Sequence, residues 1–165
     1  MSITRNQFLK VLGTSTALTL TGIPGFSATR DFKNPSQNNP SFKLGLASYT
    51  LRKFTLDEVV KICKRLGLTS VALKSMHMPL ESSGEDIKAM AEKIKSAGLN
   101  LYGAGVIYMK SATEVESAFE YASHAGLEMI VGVPNHDLLP LINEKVKKSN
   151  IKLAIHNHGP GDDLY

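Results

Sequence analysis

Residues 43–74 read KLGLASYTLRKFTLDEVVKICKRLGLTSVALK, and the fold turns on how this run divides. Residues 43–51 are apolar or small nearly throughout, the pattern of a strand covered on both faces rather than on one. Residues 55–66 place Leu56, Val59, Val60, Cys63 and Leu66 at helical spacing, so one helix face is apolar. Thr55 and Glu58 have the spacing of a capping box at the start of that helix, and Gly67 stands where a left-handed C′ residue closes it. Residues 70–74 (SVALK) form a second short apolar run. The stretch is therefore a strand, a helix and a strand.

The rhythm continues along the chain. A second helix runs through Ile87, Met90, Ala91, Ile94 and Ala97 and stops at Gly98; residues 99–108 make the third strand. Val115, Ala118, Phe119 and Ala122 mark a third helix ending at Gly126, followed by a strand at 128–133, a helix at 138–148 and a strand at 151–155. The unit recurs about every 25–30 residues, the size of a βα unit. Ser82 with Glu85 and Ser111 with Glu114 supply two more capping boxes. Each enclosed apolar side chain on these helices is worth about 1.5–3 kcal/mol.

Two architectures use alternating strands and helices. An open doubly wound sheet carries a Gly-rich phosphate turn after its first strand, whereas here the chain continues Arg52-Lys53-Phe54-Thr55. A barrel accepts small residues on inward strand positions, and Gly45, Ala47, Gly103 and Gly105 fit such positions. The expected fold is α/β, a parallel (β/α) TIM-type barrel truncated after the fifth strand.

Composition narrows the class. At 165 residues with 42% hydrophobic and 21% charged residues, the chain suits one soluble globular domain. Without Arg5 and Lys10, the only charged residues of 1–28, the net charge falls from +4 to +2, which offers nothing to nucleic acid. The single cysteine, Cys63, excludes an intramolecular disulfide and a Cys-cluster zinc site. Residues 1–28 have a basic start, an apolar middle and small residues at the end, the layout of a signal peptide. Thr4-Arg5-Asn6-Gln7-Phe8-Leu9-Lys10 resembles the twin-arginine export pattern, with Asn6 where the second arginine belongs. Its apolar middle is interrupted by Gly13, Thr14, Thr19, Gly22 and Pro24, a poor membrane span. Residues 29–42 are a polar linker, and the expected location is outside the cytoplasm, in the periplasm.

In a parallel barrel, chemistry sits at the C-terminal strand ends. Those ends supply Ser48, Tyr49 and Arg52; Lys74, His77 and Pro79; Tyr108 and Lys110; Pro134, Asn135, His136 and Asp137; and His156, Asn157 and His158. Strand alternation puts His156 and His158 on one side, where two imidazoles could meet one cation or one sugar hydroxyl, or simply bond within the loop. Lys74 suits an anion or carbonyl partner, or solvent. Asn135, His136 and Asp137 most simply cap the fourth helix. His124, near the end of the third helix, needs only a solvated or dipole-facing role.

The runs SVALKSMHMPL, AGLNLYGAGVIYM, FEYASHAGLEMIVGVPNHDLLP and KLAIHNHGP resemble the xylose isomerase-like barrel superfamily, in particular exported bacterial sugar phosphate isomerases/epimerases. The resemblance covers residues 43–165 and implies an eight-unit barrel that moves a proton between neighbouring carbons of a sugar or sugar phosphate. It also implies a divalent metal (Mn, Co, Mg or Zn), with Lys74, His77, His156 and His158 lining the substrate pocket and His156 or His158 as candidate metal ligands. The family's carboxylate cage lies on later strands, and no glutamate sits at a strand end here; Asp162 and Asp163 follow the histidine pair in a loop. The reading is thus the N-terminal portion of a sugar isomerase/epimerase. The alternative is a non-catalytic truncated barrel serving as a binding or assembly module that self-associates through open sheet edges. A metal-dependent phosphodiesterase on the same barrel is disfavoured by the near-neutral charge of residues 29–165.

Overall fold

The computed structural model describes residues 43–161. The signal-peptide and linker expectations, and Asp162 and Asp163, lie outside the described residues.

Five strands and four α-helices alternate. They are β1 (Gly45–Ala47), α1 (Leu56–Arg65), β2 (Ser70–Leu73), α2 (Gly84–Ser96), β3 (Asn100–Met109), α3 (Ala112–His124), β4 (Met129–Pro134), α4 (Leu139–Ser149) and β5 (Lys152–Ile155), with short 3₁₀ helices at Ser48–Leu51 and His136–Leu138. The strands form one sheet in the order β1-β2-β3-β4-β5, every pair parallel. Strand order never reverses, so there is no switch point of the doubly wound kind, and each crossover adds its strand on the same side. This is barrel topology, with the outer edges of β1 and β5 unpaired among the described residues.

The core lies between one face of the sheet and the helices. Val71, Leu73, Ala104, Ile107, Met109 and Ile130 from the strands meet Val59, Cys63, Ile87, Ile94, Val115, Phe119 and Ile142 from the helices. Gly45 and Ala47 flank core-facing Leu46, and Gly103 and Gly105 flank Ala104, so all four lie on the opposite face, the inner wall of a barrel.

Three helices end alike. At Gly67, Gly98 and Gly126 φ is positive. At each, the glycine N–H and that of the following leucine turn back to carbonyls of the last helical turn: Gly67 to Lys64 and Leu68 to Cys63, Gly98 to Lys95 and Leu99 to Ile94, Gly126 to Ser123 and Leu127 to Ala122. This is the Schellman arrangement, and it drops Leu99 and Leu127 into the core at the start of the next strand. The same geometry corrects one expectation. Leu66 follows the last helical residue and is 58% exposed, while Leu68, beyond the turn, packs on the core in its place.

Helix starts match the sequence at two places and slip at a third. Thr55 with Glu58 and Ser111 with Glu114 form complete capping boxes. At α2 the cap is Ser83, whose hydroxyl receives Asp86 N–H, in place of Ser82 and Glu85. Gly84 then begins the helix, and a Cβ there would lie 2.5 Å from the His124 ring, so the glycine lets α2 settle against the end of α3. The first strand is also shorter than residues 43–51, because the chain leaves β1 at Ala47 and turns into a 3₁₀ helix.

Candidate functional site

Because every strand is parallel, the loops after β1 to β5 gather at one end of the sheet. The first of these is built on Ser48, a fully buried hydroxyl. Its Oγ accepts the Lys74 backbone N–H at 2.9 Å and lies 2.9 Å from His77 Nδ1. His77 is 5% exposed, and its Nε2 lies 3.0 Å from the Phe54 carbonyl oxygen. A carbonyl can only accept, so Nε2 carries a proton, and in the neutral ring Nδ1 accepts the Ser48 hydroxyl. One chain of hydrogen bonds thus ties the ends of β1 and β2 to the segment entering α1. His77 acts inside this chain, with both ring nitrogens engaged by the protein. Nearby, Tyr121 of α3 donates its buried hydroxyl to the Met78 carbonyl at 2.9 Å, holding the β2 loop from the helix side. No buried side-chain polar atom lacks a partner among the described residues.

On the solvent side of this network stands Tyr49, 53% exposed. The Arg52 guanidinium lies 5.0 Å from its ring centroid and the Lys74 ammonium 5.8 Å. Partial burial lowers the Lys74 pKa from the ordinary lysine range.

At the far side of the sheet, His156 continues the ladder by donating its backbone N–H to the Gly132 carbonyl. The His156 and His158 rings meet edge to face with centroids 4.7 Å apart and Nε2 atoms 3.1 Å apart. At that distance one Nε2 carries the proton and the other the lone pair, so the pair shares a hydrogen bond. The β2 and β5 ends are three strand spacings apart, about 14 Å along the sheet, so Lys74 and His77 form one cluster and His156 and His158 another.

The fit to a metal is partial. Two imidazole nitrogens 3.1 Å apart suit neighbouring positions around one ion, but no group of three or more His, Cys, Asp or Glu that could hold a metal is present among the described residues. The described donor set does not complete a site. The fourth loop departs from expectation: Asn135 makes no side-chain capping bond, and α4 is entered through the 3₁₀ turn at His136–Leu138 with Pro140 in its first turn. Asn135 instead takes its N–H to the Met109 carbonyl, extending the β3–β4 ladder. Ser48, the Phe54 carbonyl and Tyr121 were not singled out as a network by sequence; the one signal was a hydroxyl residue at a strand end.

No family model and no curated protein matches the chain. Among solved structures, an uncharacterized protein from Parabacteroides distasonis ATCC 8503 aligns with a TM-score of 0.64 at 22% identity, over 71% of this chain and 53% of that one. A xylose isomerase-like TIM barrel/4-hydroxyphenylpyruvate dioxygenase fusion protein aligns with a TM-score of 0.51 at 14% identity, over 69% and 22%. A xylose isomerase domain containing protein from Salmonella typhimurium aligns with a TM-score of 0.49 at 16% identity, over 67% and 47%. The chain spans about half or less of the length of these structures. With five parallel strands in sequential order and the helices on one face, it has the strand–helix arrangement of a parallel (β/α) TIM-type barrel.

Proposed function

We propose that this chain contributes the first five units of an exported sugar isomerase or epimerase, with the substrate at the C-terminal strand ends. The observation that carries the reading is the His156–His158 pair: a half-buried and an exposed imidazole just past β5, joined Nε2 to Nε2 across 3.1 Å. A sugar that replaces this shared bond would receive an N–H at one oxygen and donate a hydroxyl to the other ring, a pair able to pass a proton along the carbon chain. Lys74 faces the same end of the sheet and can polarise a carbonyl. Support for a sugar as substrate comes from the resemblance of the HNHGP run and from a fold shared with a protein named xylose isomerase-like. A divalent ion, when bound, would polarise a substrate carbonyl or acidify a hydroxyl; the two imidazoles, each then unprotonated at Nε2, would be part of its donor set together with groups outside the described residues.

The test is proton exchange. The full chain is incubated with aldoses, ketoses and their phosphates in D₂O, with and without Mn, Co, Mg or Zn, and deuterium entry at the sugar carbons is followed by NMR. Entry that slows at least tenfold in His156→Ala and His158→Ala supports the reading. No exchange with any sugar under any metal condition, in a protein that is folded by circular dichroism, ends it. Export is tested separately, by fractionation and N-terminal sequencing, with a mature start near residue 29 expected.

A second reading has its own observation. The outer edges of β1 and β5 pair with no strand among the described residues, and Leu44 and Ile155 beside them are 62% and 40% exposed. Unpaired edges with apolar flanks favour association between copies. A dimer or larger species by light scattering, dissociated by Ile155→Lys, would favour a binding or assembly module.

A further inference from the structure

We propose that Tyr49, Arg52 and Lys74 form a subsite for an oxyanion group, a phosphate or carboxylate, carried on a short polyol. The polyol carrier rests on the sugar-binding reading above; the anion rests on the geometry alone. Both cations lie within 6 Å of one ring centroid, so their charges are no more than about 11 Å apart. No Asp or Glu among the described residues pairs with either. The ion pairs among the described residues are Lys93–Asp57, Lys95–Glu92 and Lys145–Glu116. Two like charges beside one aromatic ring repel, and the ring quadrupole offsets only part of that. An anion between them would complete the arrangement, and Arg52 offers it a planar fork while Lys74 offers a point charge.

Two further features suit a ligand. Tyr49, Phe54 and Met76, on the same two loops as the cations, are 53%, 45% and 45% exposed, apolar surface that a carbon chain can cover. The Ser48–His77 chain also holds the Lys74 amide and the Phe54 carbonyl, so the segments carrying both cations are fixed before any ligand arrives.

A matched series separates the sources: glycerol 3-phosphate, glycerate and glycerol share a three-carbon skeleton and differ in the anion. Calorimetry and ¹⁵N amide shifts on the full chain should show glycerol 3-phosphate or glycerate binding, and glycerol not, with the largest shifts at residues 49–54 and 74–76. Binding by only one of the two anions would identify the group. Arg52→Met and Lys74→Met should each weaken binding about tenfold, the loss of one charge-assisted contact. Lys74→Arg should retain most of it, and Arg65→Met, the same charge loss at the opposite end of the sheet, should change nothing. Equal binding of glycerol, unchanged affinity in the two Met variants, or shifts confined elsewhere overturns the subsite. Should neutral sugars still exchange deuterium, the isomerase reading survives that failure; anion binding with no exchange leaves the subsite and ends the isomerase reading.

Discussion

Replacing Ser48 by alanine removes one oxygen and should cost far more than a typical surface change. The hydroxyl is fully buried and serves two partners at 2.9 Å, the Lys74 N–H and His77 Nδ1. Alanine leaves both without a bond. A buried group deprived of its partner costs about 1–3 kcal/mol. The Lys74 bond is half-buried, so water can replace part of it; His77 is 5% exposed and cannot turn away without losing the Phe54 carbonyl. The expected loss is about 2–4 kcal/mol, a large share of the roughly 5–15 kcal/mol that stabilises an ordinary domain. Urea unfolding with linear extrapolation measures it. His77→Leu and the double variant complete a cycle in which the two changes should be non-additive by about 0.5–3 kcal/mol. Nitrogen NMR should find His77 protonated at Nε2 and bare at Nδ1. A Ser48→Ala loss below about 0.5 kcal/mol, within the range of surface substitutions, or an additive cycle, refutes the network.

The remaining predictions probe local features. Ser83→Ala should destabilise by about 1 kcal/mol through loss of the α2 cap, while Ser82→Ala should stay within about 0.5 kcal/mol; the reverse order in urea melts would restore the sequence-based start. Tyr121→Phe leaves the Met78 carbonyl without its donor and should cost about 1–2 kcal/mol by the same assay. Burial also pushes the Tyr121 phenol far above its usual range. The unfolded chain therefore releases that proton first, and stability should fall as pH rises above about 10; ultraviolet titration should show one tyrosine that ionises only on unfolding. Lys74 has the opposite sign. Its folded pKa is lowered, so between that value and the ordinary lysine range the unfolded chain holds more protons and stability rises with pH. Lys74→Met should then melt higher than the parent at neutral pH, with the advantage shrinking as the pH approaches about 10; a lower melting temperature would show that the charge is compensated.

What was legible in the sequence was local. A capping box spans four residues and a Gly-Leu helix exit spans two, so Thr55-Glu58, Ser111-Glu114 and the three glycine turns could be placed from the string alone. The strand order followed because each short apolar run could reach only the edge laid down by its predecessor. The two-residue spacing of His156 and His158 suggested one side, and just past the end of β5 the two rings meet. Elsewhere the outcome turned on an adjacent helix exit or on a neighbour distant in sequence. Leu66 carries the right period but stands one residue too late, after the helix has closed. The start of α2 slips by one: Ser83 is the cap, and Gly84 at the first helical position lies against the ring of His124, forty residues on. His77, expected among the pocket residues, is drawn inward by Ser48 and Phe54, 29 and 23 residues before it.

The largest departure is also the one that makes the candidate subsite. Had the first strand run through residue 51 as its apolar pattern suggests, side chains 49 and 51 would share one face of the sheet and 48 and 50 the other. The Ser48 hydroxyl would then compete with the ladder. Instead the chain leaves the strand at Ala47, buries Ser48 under the end of β2, and coils once through Ser48–Leu51. That single turn returns Arg52 N–H to the Tyr49 carbonyl, brings the Arg52 guanidinium over the Tyr49 ring, and delivers the Phe54 carbonyl to His77. A strand would have satisfied hydrophobicity equally well; the turn satisfies two buried polar groups and leaves two cations beside one aromatic ring. Local apolar patterning cannot register that exchange, because its benefit is collected by Lys74 and His77 on another strand.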